Sequence, residues 1–277
     1  PDVPTATPPP ASATPPPTQP PTASPTYAPL TAATQPVVLE PPVAEPTATP
    51  GKPSINLPDA PITILEPAQG SQVTSPIRVI GYAQPTYQER ISVRLIDQAG
   101  DAQDEQTAIL MAYPGGAGRF VSHLSFDLAG VSDRAFLQID SYDRRYGRLA
   151  QRTTQPLVLL SAGSDRVLPG HQGPAQLAIV EPRPGAILPP GPVHIRGGGW
   201  TIRDGEVLVQ AIDRQGQVVA SSPVTLDVGQ DGRIGTFELD LTPAISFWQY
   251  GRLAVSELDP ASGEVVFLYS IEVAFRH

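Results

Sequence analysis

The chain contains no cysteine, so neither a disulfide framework nor a thiolate metal site can form. Lysine is nearly missing too. Of the 18 basic residues only Lys52 is a lysine, and the arginines are scattered without a basic stripe. The formal net charge is -9. An acidic body repels a phosphate backbone, which argues against nucleic acid as a partner. No apolar run approaches the roughly 18–20 residues that span a bilayer. The most apolar stretch, residues 265–275, carries Glu272 and alternates as a strand does.

Motifs of catalysis are also wanting. There is no G-x-S-x-G, no H-E-x-x-H and no Gly-rich phosphate loop. The four histidines (His123, His171, His194 and His277) have no metal-ligand spacing. Gly197, Gly198 and Gly199 precede no helical pattern and read as a loop before Trp200. Asp227 and Asp231 are too sparse for calcium, which wants six or more oxygens, and they read as a hairpin turn. Asp133, Asp140 and Asp143 alternate with Arg134, Arg144 and Arg145 and read as paired solvated charges. The expectation is a protein that is not an enzyme, with no catalytic, cofactor-binding or metal-binding residues.

What is abundant is proline. Residues 1–60 hold 19 of the 35 prolines, mixed with Thr, Ala and Ser. Proline fixes φ and removes the amide donor, so neither helix nor central strand is expected there. A polyproline II tail of this length reaches about 180 Å when fully stretched. Pro/Thr-rich stretches of this kind serve as stalks outside the cytoplasm. Within the tail only residues 34–40 (TQPVVLE) are β-prone. Pro36, Val37, Val38 and Leu39 are therefore a candidate assembly strand that adds to a sheet edge in another subunit. Pro1 is a poor natural start, so the chain reads as a processed or trimmed form. A removed signal, a lipid anchor and a membrane helix upstream all remain open.

After the tail the chain repeats itself. Residues 64–81 (ILEPAQGSQVTSPIRVIG) return at 179–197 (IVEPRPGAILPPGPVHIRG). Short strands are expected at 62–65, 77–83, 91–96, 106–113, from Phe120, around Leu137 and Ile139, and around Leu157 and Leu159. Val207, Val209, Leu253, Val255, Val273 and Phe275 take the matching places in the second copy. Seven or so strands at 8–15-residue spacing, with no 3.6-residue period, argue for an all-β sandwich in each copy. One helical turn is conceivable at residues 243–248. The expected plan is a tail at 1–60, a domain at 61–161, a linker at 162–175 holding the domains end to end, and a domain at 176–277.

The repeated pattern resembles the bacterial spore-germination immunoglobulin-like domain family. The residues that carry the resemblance are Glu66, Pro67, Gly70, Val73, Pro76, Gly81, Asp97, Gly100, Gly118 and Phe120. In the second copy they are Glu181, Pro182, Gly185, Leu188, Pro192, Gly197, Asp213, Gly216, Gly235 and Phe237. The resemblance implies two tandem immunoglobulin-like β-sandwiches in an exported or envelope protein, with no catalytic residues.

The function expected from this is non-catalytic: an extracytoplasmic structural or interaction protein on the cell surface, with protein partners or self-assembly. One alternative is a subunit of an extracellular filament or surface layer whose tail runs across its neighbours. Another is a module that binds cell-wall glycan. Tyr142, Tyr146, Trp200, Trp248 and Tyr250 are then the candidate aromatic platform for a ligand or partner.

Overall fold

The computed structural model describes residues 55–202, 205–228 and 234–276. The candidate assembly strand at Pro36, Val37, Val38 and Leu39 lies outside the described residues, as do His277 and Asp231. The described chain is all-β apart from one 3-10 turn at Tyr87–Glu89.

Seventeen strands follow in order: β1 (Ile62–Glu66), β2 (Gln72–Thr74), β3 (Ile77–Ala83), β4 (Arg90–Asp97), β5 (Ala102–Ile109), β6 (Gly118–Leu124), β7 (Ser132–Tyr142), β8 (Leu149–Leu160), β9 (Leu177–Glu181), β10 (Ile187–Leu188), β11 (Val193–Gly199), β12 (Glu206–Ile212), β13 (Val218–Thr225), β14 (Asp227–Val228), β15 (Gly235–Leu241), β16 (Gln249–Leu258) and β17 (Val265–Phe275). They form three sheets. Two are small, in the orders β1-β3-β6 and β14-β15-β11-β9. The third has ten strands, in the order β13-β12-β16-β17-β8-β7-β4-β5, with β2 on β8 and β10 on β17.

Period-two alternation explains why the sheets stack. In β4, Ile91, Val93 and Leu95 are fully buried, and Leu137 and Ile139 of β7 join them. Val79, Phe120 and Leu124 come to the same cluster from the small sheet. A second cluster repeats this with Val207, Val209, Leu253, Val255, Val273, Ile195 and Phe237. Each half is thus two sheets around its own core.

The repeated residues have structural work. Gly70 and Gly185 turn the chain at φ +80° and +79°, which only glycine adopts freely. Asp97 Oδ1 accepts from the N–H groups of Ala99 and Asp101, each at 2.9 Å. Asp213 Oδ1 accepts in the same way from Gln215 and Gln217, each at 2.8 Å. The Glu66–Pro67 and Glu181–Pro182 peptide bonds are both cis.

Four expectations need correction. Gly197, Gly198 and Gly199 are not a loop; they end β11. A Cβ on Gly197 would lie 2.3 Å from the Phe237 ring, and one on Gly198 2.5 Å from Gly235 O, so the run allows close strand packing. Residues 243–248 form no helical turn. The strand expected at 106–113 runs instead over Ala102–Ile109, because the four-residue Asp97 turn returns the chain to the sheet at once. The halves are also not held end to end. They lie side by side, β8 against β17, antiparallel, with Leu268 opposite Arg152. Leu137 and Leu253 are 116 positions apart, as are Leu157 and Val273, and so are Arg152 and Leu268. The halves therefore meet at equivalent points of the repeat, so the two strands are related by a local twofold there.

The connecting segment is tied down. Leu168 N donates to Ser71 Oγ at 2.9 Å, and Gly170 N donates to Leu65 O at 2.7 Å. Residues 55–60, counted with the tail in the sequence, pair with its end. Ala60 N donates to Gly173 O at 2.9 Å, Ala175 N donates to Pro58 O at 2.8 Å, and Leu57 packs on the second core.

Candidate functional site

The junction between the halves collects most of the chemistry. It is built from the β7–β8 hairpin. Asp143 shapes the turn by accepting from Arg145 N (3.0 Å) and Tyr146 N (2.7 Å) on Oδ1, and from Arg148 N (2.9 Å) on Oδ2. Gly147 closes the turn at φ +65°. The turn projects Arg145, Tyr146 and Arg148 towards the second half.

Arg145 clamps that half. Its Nε and Nη2 donate to the two oxygens of Glu272 at 3.2 and 3.1 Å. Its guanidinium lies 3.8 Å above the Tyr250 ring, a cation–π contact. Trp248 meets Tyr250 edge-on, with centroids 4.9 Å apart. The Glu272 hydrogen bond raises the Arg145 pKa further.

Further along, Gln151 Nε2 donates to Ser270 O at 2.8 Å and Ser270 Oγ donates to Ala150 O at 2.6 Å. Arg152 donates from Nε and Nη2 to the two oxygens of Asp140, both at 2.7 Å, and from Nη1 to Val265 O at 3.1 Å. The Asp140 side chain is 3% exposed and that of Arg152 14%. A buried carboxylate is tolerated only when paired in this way.

A cleft of about 280 Å³ opens beneath the hairpin. Its floor is the outward face of β12, β16 and β17, with Gln210, Arg252, Leu268 and Glu272. Its walls are two Asp-shaped turns, at Asp143–Arg148 and Asp213–Gly216. Arg252 Nε donates to Ser270 Oγ (2.7 Å) and Nη2 to Ser270 O (2.9 Å). Burial lowers the Arg252 pKa, and the nearby Asp143 and Glu272 charges oppose that.

Of the five aromatic residues singled out by sequence, the structure brings three together. Tyr146 is 40% exposed at the cleft, Tyr250 lies under the Arg145 guanidinium, and Trp248, 54% exposed, meets the Tyr250 ring. Trp200 does not join them. Its backbone N–H donates to Gln176 O, and Gln176 Nε2 donates to Glu257 near the far end of β16, roughly 30 Å of strand away from Trp248. Tyr142 is also apart. Its backbone bonds Thr86 and its ring is half-buried, and that burial, with Asp140 nearby, raises its phenol pKa. Sequence reading missed Arg148, Arg252, Gln210 and Glu272 as neighbours, because they sit on four separate elements.

The remaining candidates are separate. His194 lies between Asp240 (3.0 Å) and Glu238 (3.2 Å) on the exposed face of β11 and β15. Among the described residues no group of three or more His, Asp or Glu is placed to hold a metal ion. No described helix is long and apolar enough to cross a membrane.

No protein-family model matches the chain, and no curated protein matches it. Among solved structures it is similar to β-glucuronidase from Ruminococcus gnavus. The complex with D-glucaro 1,5-lactone gives a TM-score of 0.24 at 12% identity, over 76% of this chain and 37% of the other. The apo form of that enzyme gives 0.23 with the same identity and coverage. The chain thus spans little more than a third of the proteins it matches, and at these scores no activity follows from the likeness.

Proposed function

We propose that this chain is a non-catalytic interaction and spacer protein held outside the cytoplasm. In this reading two tandem immunoglobulin-like sandwiches form one rigid head on a Pro/Thr-rich stalk, and the head docks protein partners. The observation that carries it is the junction: β8 and β17 join edge to edge, and Arg145, Gln151, Arg152 and Ser270 bond across them. A hinge between two modules would not need such bonds. Strand order supports the immunoglobulin-like part. In each half a short strand, β2 or β10, runs parallel to the last strand, while the first strand, β1 or β9, pairs with the opposite sheet. The resemblance in residues 61–275 to an exported domain family and the composition of the stalk support the location.

Protease shaving of intact producing cells tests this. Peptides from residues 55–277 should appear in the shaved fraction. Recovery only after lysis would overturn the extracytoplasmic reading. Light scattering on residues 1–277 and 55–277 separates a stalked monomer from a filament subunit. Assembly by the longer form alone would favour the filament and the strand at Pro36, Val37, Val38 and Leu39.

A further inference from the structure

The hairpin turn of the first half recurs in the second. Asp143 and Asp259 are 116 positions apart, as are Gly147 and Gly263. Asp259 Oδ1 accepts from Ala261 N at 2.8 Å and Ser262 N at 3.1 Å. Gly263 N donates to Asp259 O at 2.7 Å, as Gly147 N does to Asp143 O at 3.0 Å. The scaffold repeats, but the side chains it carries do not. Arg144, Arg145, Tyr146 and Arg148 stand where the second half has Pro260, Ala261, Ser262 and Glu264. On the floor of the cleft, Arg252 stands where the first half has Phe136. The hairpin turn is satisfied by either set, so the turn itself does not require Arg148 or Tyr146.

The charges in the cleft are unevenly answered. Glu272 is held by Arg145, Asp143 by three hairpin N–H groups, and Asp213 by two turn N–H groups. Arg252 is half-buried, and its side-chain hydrogen bonds go only to the neutral oxygens of Ser270, with the Asp143 and Glu272 charges nearby. Arg148 lies along the Gly216 turn and makes no side-chain hydrogen bond or ion pair among the described residues. A half-buried guanidinium that makes no hydrogen bond to a carboxylate keeps donors for a small anion, and its planar fork matches an oxyanion.

We propose that this cleft is an oxyanion site. Arg252 and Arg148 hold a carboxylate or phosphate group, and Tyr146 and Leu149 cover the adjoining apolar part of the ligand. This gives the interaction head a ligand chemistry, yet it stands or falls independently of where the chain resides, so a null binding result leaves the shaving experiment unaffected.

Thermal unfolding and calorimetric titration of the full chain test it at constant ionic strength, with chloride replaced by the probe. Inorganic phosphate and acetate probe the free ion. Glycerol phosphate and oligogalacturonate probe the same groups as a surface polymer carries them. Saturable stabilisation is expected, roughly 5 °C at about a hundredfold excess over Kd. Arg148→Gln and Arg252→Met should each weaken binding about tenfold or more, and Arg166→Gln should not. Arg148 is exposed, so its variant reports even if Arg252→Met unfolds. Tighter binding of the oligomer than of the free ions supports a polymer-borne group, and the reverse order supports a free ion. The proposal is overturned by no saturable effect, by equal effects in Arg148→Gln, or by equal binding of a neutral galactose oligomer.

Discussion

Gly81 and Phe120 face each other across β3 and β6, and the ring of Phe120 lies over the glycine. A Cβ at Gly81 would sit 2.2 Å from the ring and 2.8 Å from Thr63 O. Gly81→Ala is therefore expected to destabilise by about 1–3 kcal/mol, read by urea unfolding, with partial rescue by Phe120→Leu. Rescue is only partial because the Thr63 carbonyl stays in place. The sequence showed that glycine and phenylalanine recur together; it did not show that they touch, since 39 residues separate them. Asp97 gives a pH prediction. Its N–H bonds, that from Asp101 first, lower its folded pKa below the ordinary 3.8. A depressed carboxylate contributes stability above its unfolded pKa and loses it as pH falls through the folded value. Asp97→Asn should thus lower Tm by about 2 °C at pH 7 and make little difference near pH 2. At Arg152 the cost is larger. Arg152→Ala leaves Asp140 buried and unpaired, about 3–5 kcal/mol, whereas Arg152→Met with Asp140→Leu should recover most of it.

At the level of elements, strands facing a core were legible because one face is apolar at period two, as in Ile91, Val93 and Leu95. The D-x-x-G turns were legible because they repeat. The sheet junction was not. The central part of β8 reads QRTTQP, without an apolar face, so nothing in it announces a partner. Its edge is chosen by groups from elsewhere, the backbone carbonyls of Ser270 and Val265, which accept from its Gln151 and Arg152 side chains. The cleft was hidden for the same reason, although the Asp143–Gly147 and Asp259–Gly263 spacings would have marked the hairpin once aligned. The clamp at this element should be energetically light. Arg145 and Glu272 are 42% and 35% exposed, so Arg145→Ala and Glu272→Ala should each cost about 1 kcal/mol or less, with a coupling energy of similar size in a double-mutant cycle. Coupling well above that would mean the pair is drier than its exposure implies.

Across the whole molecule the two cores share one ten-stranded sheet, so neither can lose its last strand without exposing the other's edge. Groups at the shared edge would lose partners if the halves parted: Ala150 O its bond from the Ser270 hydroxyl, and Arg152 Nη1 its acceptor, Val265 O. That cost couples the halves, and the chain carries a natural reporter of the coupling. Both tryptophans, Trp200 and Trp248, lie in the second half, whereas far-ultraviolet circular dichroism reports on both halves. The two signals are expected to unfold with coincident midpoints. Leu137→Ala empties space in the first core only, at a cost of about 2–5 kcal/mol. If the sheet couples the cores, that variant lowers the tryptophan midpoint as far as it lowers the dichroism midpoint. An unmoved tryptophan midpoint would mean the halves unfold separately, and the rigid head on which the proposed function rests would give way to two beads on a thread.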